Sequence, residues 1–113
     1  MSDHITIHKA EGAWVVRAGG AVIAESRNAL ELTEGGMGPV IYFPREDVAM
    51  AFLDRSDSST ACPHKGVASY FTLRAKSYDI ADAAWSYEEP NTGLERIAGH
   101  LAFYADKVTV EQL

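Results

Sequence analysis

The sequence predicts a mainly β fold: a single small domain over residues 1–113, built as an antiparallel folded sheet or a partly open barrel, with one or two short helices. Three observations predict it. Apolar and polar residues alternate with period two in successive runs. Turn-forming residues separate those runs at short intervals. The strands follow one another too closely for the crossover helices of a βαβ sheet.

Each element follows in order. His4, Thr6 and His8 share one face of a first strand, with Ile5 and Ile7 on the other. Ala13 to Ala18, Gly19-Gly20 and Ala21 to Glu25 read as a hairpin, because paired glycines supply the positive φ angles of a two-residue turn. Ala29 to Thr33 continues the alternation. Gly35-Gly36-Met37-Gly38-Pro39 interrupts it, and Val40 to Phe43 resumes as a strand. Pro44 then opens a short helix, with Glu46 and Asp47 in its first turn, where the helix dipole favours negative charge. Val48, Phe52 and Leu53 give that helix an apolar stripe. Asp54 to Ser59 reads as a polar loop.

A turn at Cys62-Pro63-His64-Lys65 leads into a long strand from Val67 to Lys76. Ala81 to Tyr87 forms another, with Ile80, Asp82, Ala84 and Ser86 on one face and Ala81, Ala83, Trp85 and Tyr87 on the other. After the loop Glu88 to Gly93, residues Leu94 to His100 form a helical turn. Leu101 to Tyr104 and Val108 to Glu111 close the chain as a last hairpin.

Composition narrows the function. At 113 residues, 47% apolar and 23% charged, the chain is long enough to bury a core without staples. Its net charge of −6 repels phosphate backbones, so nucleic acid is not an expected partner. One cysteine forms no internal disulfide, which points to a reducing, cytoplasmic compartment. The start, Met1-Ser2-Asp3-His4, lacks the basic and apolar regions of a signal peptide, and no run approaches the ~20 apolar residues of a membrane span. No membrane partner is expected.

The chemistry-bearing residues gather around the turn at residues 62–66. A thiolate is a nucleophile, and neighbouring His or Lys lowers a thiol pKa. Cys62 is therefore a candidate nucleophile with His64 as its base, against the plainer reading of a small buried hydrophobe. Lys65 beside Gly66 suits an anionic group, although the phosphate-loop pattern is absent. Tyr42, Tyr70, Trp85 and Tyr87 carry flat apolar bodies with polar tips, the side chains that line pockets. Ser69 lies beside Tyr70. Arg27 and Arg45 offer guanidinium forks for carboxylate or phosphate. Asp47 suits an arginine partner or a metal ion, against the plainer reading of stabilising the helix start. No metal ligand set is assigned; His4 and His8 fit a solvated strand face, and His100 receives no role.

Five ordered motifs carry a resemblance. Ala24 to Arg27, Tyr42 to Val48, Cys62 to Gly66 with Ser69-Tyr70, Ala84 to Tyr87 with Pro90, and Gly99 with Ala102 to Tyr104 resemble the domain of unknown function 427 family, from about Val15 to Val110. The resemblance implies a small, mainly β protein similar to the Mss4-like or β-tent group of folded sheets. Many of that group carry zinc on paired cysteines; with Cys62 alone, zinc is not expected here. The family also bears a nucleotidyltransferase label, which implies magnesium on paired carboxylates, and only Asp54 with Asp57 or Glu46 with Asp47 supply such pairs. Where the family commonly has an aromatic residue between Cys-Pro and Lys-Gly, this chain has His64.

Three functional expectations result. The first is a small-molecule-binding domain for an anionic or phosphorylated ligand. The second is an enzyme, a nucleotidyltransferase or a transferase dependent on Cys62 with Lys65. The third is a homodimer formed through the aromatic strands.

Overall fold

The computed structural model describes residues 4–113. Among the described residues ten strands make three antiparallel sheets: β1 (Ile5–Lys9), β4 (Leu30–Glu34) and β5 (Val40–Tyr42) in the order β1-β4-β5; β10 (Thr109–Gln112), β2 (Trp14–Ala18) and β3 (Ala21–Ser26) in the order β10-β2-β3; and β6 (Leu53–Cys62), β7 (Gly66–Arg74), β8 (Asp79–Ser86) and β9 (Ala102–Phe103) in chain order. The folded-sheet expectation holds, and among the described residues no barrel closes.

The sequence periods explain most strands. On β1, Ile5 and Ile7 pack inward while Thr6 and His8 are exposed. The register sets Thr6 opposite Thr33, and their hydroxyls lie 2.5 Å apart. Gly19 and Gly20 turn the β2–β3 hairpin with φ of +54° and +85°, angles at which a side chain is strained.

Four expectations need correction. The helix after Pro44 is two single 3-10 turns, Arg45–Asp47 and Met50–Phe52. Between them Val48 is extended and bridges Ala24, and the Ala49 N–H donates to Ile23. Pairing with β3 outcompetes helix propagation at a β-branched residue. The polar loop Asp54–Ser59 is part of β6, which pairs with β7 through Asp54↔Thr72, Arg55↔Phe71 and Ser59↔Ser69, with an irregularity between Arg55 and Ser59. Its side chains from Asp54 to Ala61 are exposed or half-exposed on both faces, which leaves no alternation to read. The C-terminal pair is not a hairpin: β9 joins β8, and β10 joins β2 in another sheet. A turn at Tyr104, whose carbonyl accepts from Lys107 and Val108, moves the chain between sheets, and Val108 anchors the crossing in the core. The alternation along β8 breaks at Asp82, which has φ +50°, so Ala83 and Ala84 are both buried.

The apolar residues form two cores. The larger joins Val16, Ile23, Phe43, Phe71, Leu73 and Leu101. The smaller joins Leu30, Leu32, Tyr42, Ala68, Tyr87 and Ile97. Neighbours on one strand serve different cores: Tyr42 and Phe43 at the end of β5, Ala102 and Phe103 on β9. Strands with a core on each side read as continuous apolar runs, as Val40-Ile41-Tyr42-Phe43 does.

Candidate functional site

Strand β7 divides the predicted site. Successive side chains on a strand point to opposite faces. Ser69 and Phe71 line a depression on one side, and Tyr70 lines a cavity on the other. Adjacent residues that looked like one constellation therefore belong to two.

The cavity has a volume of about 220 Å³. Tyr42, Tyr70, Trp85, Tyr87 and Tyr104 supply its aromatic lining. The Trp85 indole donates to the Tyr42 hydroxyl at 3.3 Å, with the two rings edge-on. Tyr70 stacks on Tyr104, 6.5 Å between centroids and 8° from parallel, and its hydroxyl lies 2.9 Å from that of Thr60. These contacts fix the lining before anything enters, which lowers the ordering cost of binding. Burial pushes the Tyr42 and Tyr104 phenols up to about 12 and raises that of Tyr87 as well. All three are hydroxyl donors at neutral pH.

Lys65 and Glu34 provide the cavity's charges. Lys65 Nζ donates to Glu34 Oε1 at 2.5 Å, and each side chain is only 15% exposed. This hydrogen bond, more than the surrounding charge, holds the Glu34 carboxyl below its ordinary pKa. The pair pins the turn between β6 and β7 against the end of β4. Gly66 follows the turn with φ +112°, and the Asn91 N–H caps the Lys65 carbonyl at 3.0 Å.

Across β7, Arg45, Arg55, Ser69 and Phe71 line a shallower depression of about 740 Å³. The Arg45 guanidinium lies 5.6 Å from the Phe71 ring centroid, donates to the Gly99 carbonyl at 2.9 Å and pairs with Glu88 at 3.4 Å. Arg55 donates to the Ser69 hydroxyl at 2.8 Å.

The remaining predicted residues lie elsewhere. Arg27 is exposed and lines neither site. Asp47 accepts from the Ser26 hydroxyl at 2.6 Å, a brace between β3 and the first 3-10 turn. Cys62 ends β6 half-buried against the smaller core, outside the cavity lining. His64 is turned toward His4, 5.2 Å between ring centroids. Of the carboxylate pairs, Asp54 is ion-paired with Arg74 at 2.9 Å. Sequence reasoning missed Glu34, Arg55 and Tyr104. Glu34 is 31 positions from its lysine, Arg55 sat in an expected loop, and Tyr104 gains meaning only from its stack on Tyr70.

The resemblance noted in the motifs extends over the whole fold: the family model described as a domain of unknown function (DUF427) matches residues 6–112. The chain belongs to the DUF427 family. A comparison with curated proteins returned no significant match. The aromatic cavity of this DUF427 chain is lined by Tyr42, Lys65, Tyr70, Trp85, Tyr87 and Tyr104. Among the described residues no helix is long and apolar enough to cross a membrane.

Proposed function

We propose that this chain is a binding domain for a small, flat, polar molecule, and that the aromatic cavity holds it. One observation carries the reading: a half-buried Lys65–Glu34 pair stands beside a prearranged lining of four tyrosines and a tryptophan. An apolar concavity with a few convergent polar groups is the usual form of a ligand site. The volume of about 220 Å³ suits a molecule of one or two rings. The ring stacks on the aromatics, and a carboxylate or phosphate on it takes the lysine from Glu34. The single free Cys62 supports a reducing, cytoplasmic setting for that task.

A second reading rests on the opposite face. Arg45 and Arg55, from different elements, offer an anion two guanidinium groups in the depression beside Ser69, where it competes with Glu88 and Glu89 of the same lining.

Thermal-shift screening against nucleotides, sugar phosphates and ring-bearing carboxylates tests both. A ligand at a hundred times its dissociation constant adds about 2.7 kcal/mol of stability. For a cavity ligand, Trp85→Ala and Lys65→Ala weaken binding by about 1–3 kcal/mol and Arg55→Ala leaves it unchanged. Loss on Arg55→Ala alone moves the site to the opposite face. Unchanged affinity for every detected ligand in Lys65→Ala rejects the cavity reading.

A further inference from the structure

At Glu34 three metal-ligating side chains converge from distant parts of the chain. One ligand atom each from His4, Glu34 and His64 lies within 4.8 Å of the others. His4 Nε2 is 3.5 Å from Glu34 Oε2, and the two imidazoles stand edge to face at 87°. The fold creates this convergence. The register Ile5↔Glu34 and the Gly35 N–H to His4 carbonyl bond bring the start of β1 to the end of β4. The Lys65–Glu34 bond brings the turn that carries His64 to the same place.

We propose that His4, Glu34 and His64 form a binding site for a borderline divalent transition ion such as Zn²⁺. Two imidazoles and one carboxylate are a ligand set that zinc takes, with a fourth position left for water or another donor. Lys65 occupies Oε1 of Glu34, so the carboxylate offers Oε2 to the ion, and the hydrogen bond orients it. The three donors need to close by roughly 1 Å to reach the ~2.0–2.2 Å bonds of a zinc centre, within the reach of side-chain rotation at a half-exposed site. The lysine charge also repels a cation, which sets the affinity below that of a site without it. This site differs in kind from paired-cysteine zinc and takes no part from Cys62. It does not rest on the cavity reading, since its ligands meet whether or not a small molecule is bound.

The test uses the full chain without an affinity tag, titrated with Co²⁺ and then Zn²⁺ in the absence of any small molecule. Co²⁺ reports its own coordination through visible absorption, and calorimetry reports affinity. The expected result is saturable, one-to-one binding with the intense visible bands of four-coordinate cobalt, displaced by Zn²⁺. His4→Ala, His64→Ala and Glu34→Gln should each weaken binding by on the order of tenfold or more. His8→Ala, on β1 but outside the cluster, should leave it unchanged. Absence of the visible bands overturns the proposal. So does binding that persists unchanged in His64→Ala, because none of the three residues belongs to either core.

Discussion

A single hydroxyl shows how closely local chemistry and stability are tied. Ser86 is fully buried, and among the described residues its Oγ is the buried side-chain polar atom without a hydrogen-bond partner. Its cross-strand neighbour Ser69 is satisfied, because Arg55 reaches it. A buried unpaired hydroxyl costs about 1–3 kcal/mol relative to a paired one. Ser86→Ala removes that cost and one oxygen's volume from a tight site. It should stabilise the protein by about 1 kcal/mol, a rise of roughly 4 °C in melting temperature. A melting temperature that falls would show that the hydroxyl has a partner in solution.

At the scale of the element, β8 depends on its bulge. Asp82 sits at φ +50°, a left-handed conformation that Asp tolerates better than most residues. Its carboxylate accepts from Ser56 at 2.6 Å and from Ser58 at 2.7 Å, both on the edge strand β6. The Lys107 ammonium donates to the Ala81 and Asp82 carbonyls. The Ser56 hydroxyl foremost, then that of Ser58 and the Lys107 charge, hold the Asp82 carboxyl below its ordinary pKa. A carboxyl depressed in the folded state stabilises it above the unfolded pKa, near 4, and loses that contribution as pH falls through the folded value. Asp82→Asn keeps the backbone conformation accessible and removes the titration. Its melting temperature should fall less steeply than the parent's between about pH 5 and about pH 3. Parallel curves for the two proteins would remove the bulge from the acid response.

For the whole molecule, β6 decides whether the folded sheets stay apart from other copies. It is the outer strand of the four-stranded sheet and is ten residues long. A long open edge invites pairing with another chain. Here the edge carries Asp54, Arg55 and Asp57, and its register breaks between Arg55 and Ser59. Charges and a bulge on an edge are the usual protection. The chain should therefore not associate through this edge, and light scattering at micromolar concentration should give the monomer mass. A dimer that dissociates on Asp57→Ala would reverse that expectation, because the charge would then be holding copies together. Of the aromatics read from sequence as a dimer face, Tyr42 and Tyr87 are buried, and Tyr70 and Trp85 are half-buried.

The sequence by itself determined the fold class, the β2–β3 hairpin at Gly19-Gly20, the alternation of β1 and β4, and the family. Each rests on local signals, a period of two or a pair of glycines, that need no distant partner. It also marked Tyr42, Lys65, Tyr70, Trp85 and Tyr87, which the fold brings to one cavity. Only the tertiary structure decided the rest. Edge strand β6 was hidden because its faces are both wet, so no hydrophobic period reports it. Val108 crosses to another sheet because a core there accepts it, a choice that composition does not encode. Ser69 and Tyr70 part company because a strand alternates while both of its faces are lined. Arg27 and Asp47 fall outside the cavity because β3 leads away from it. Glu34 meets Lys65, and His4 meets His64, across separations of 31 and 60 positions. Such meetings are set by sheet register, and register is fixed by the burial of whole faces, a property of the assembled cores.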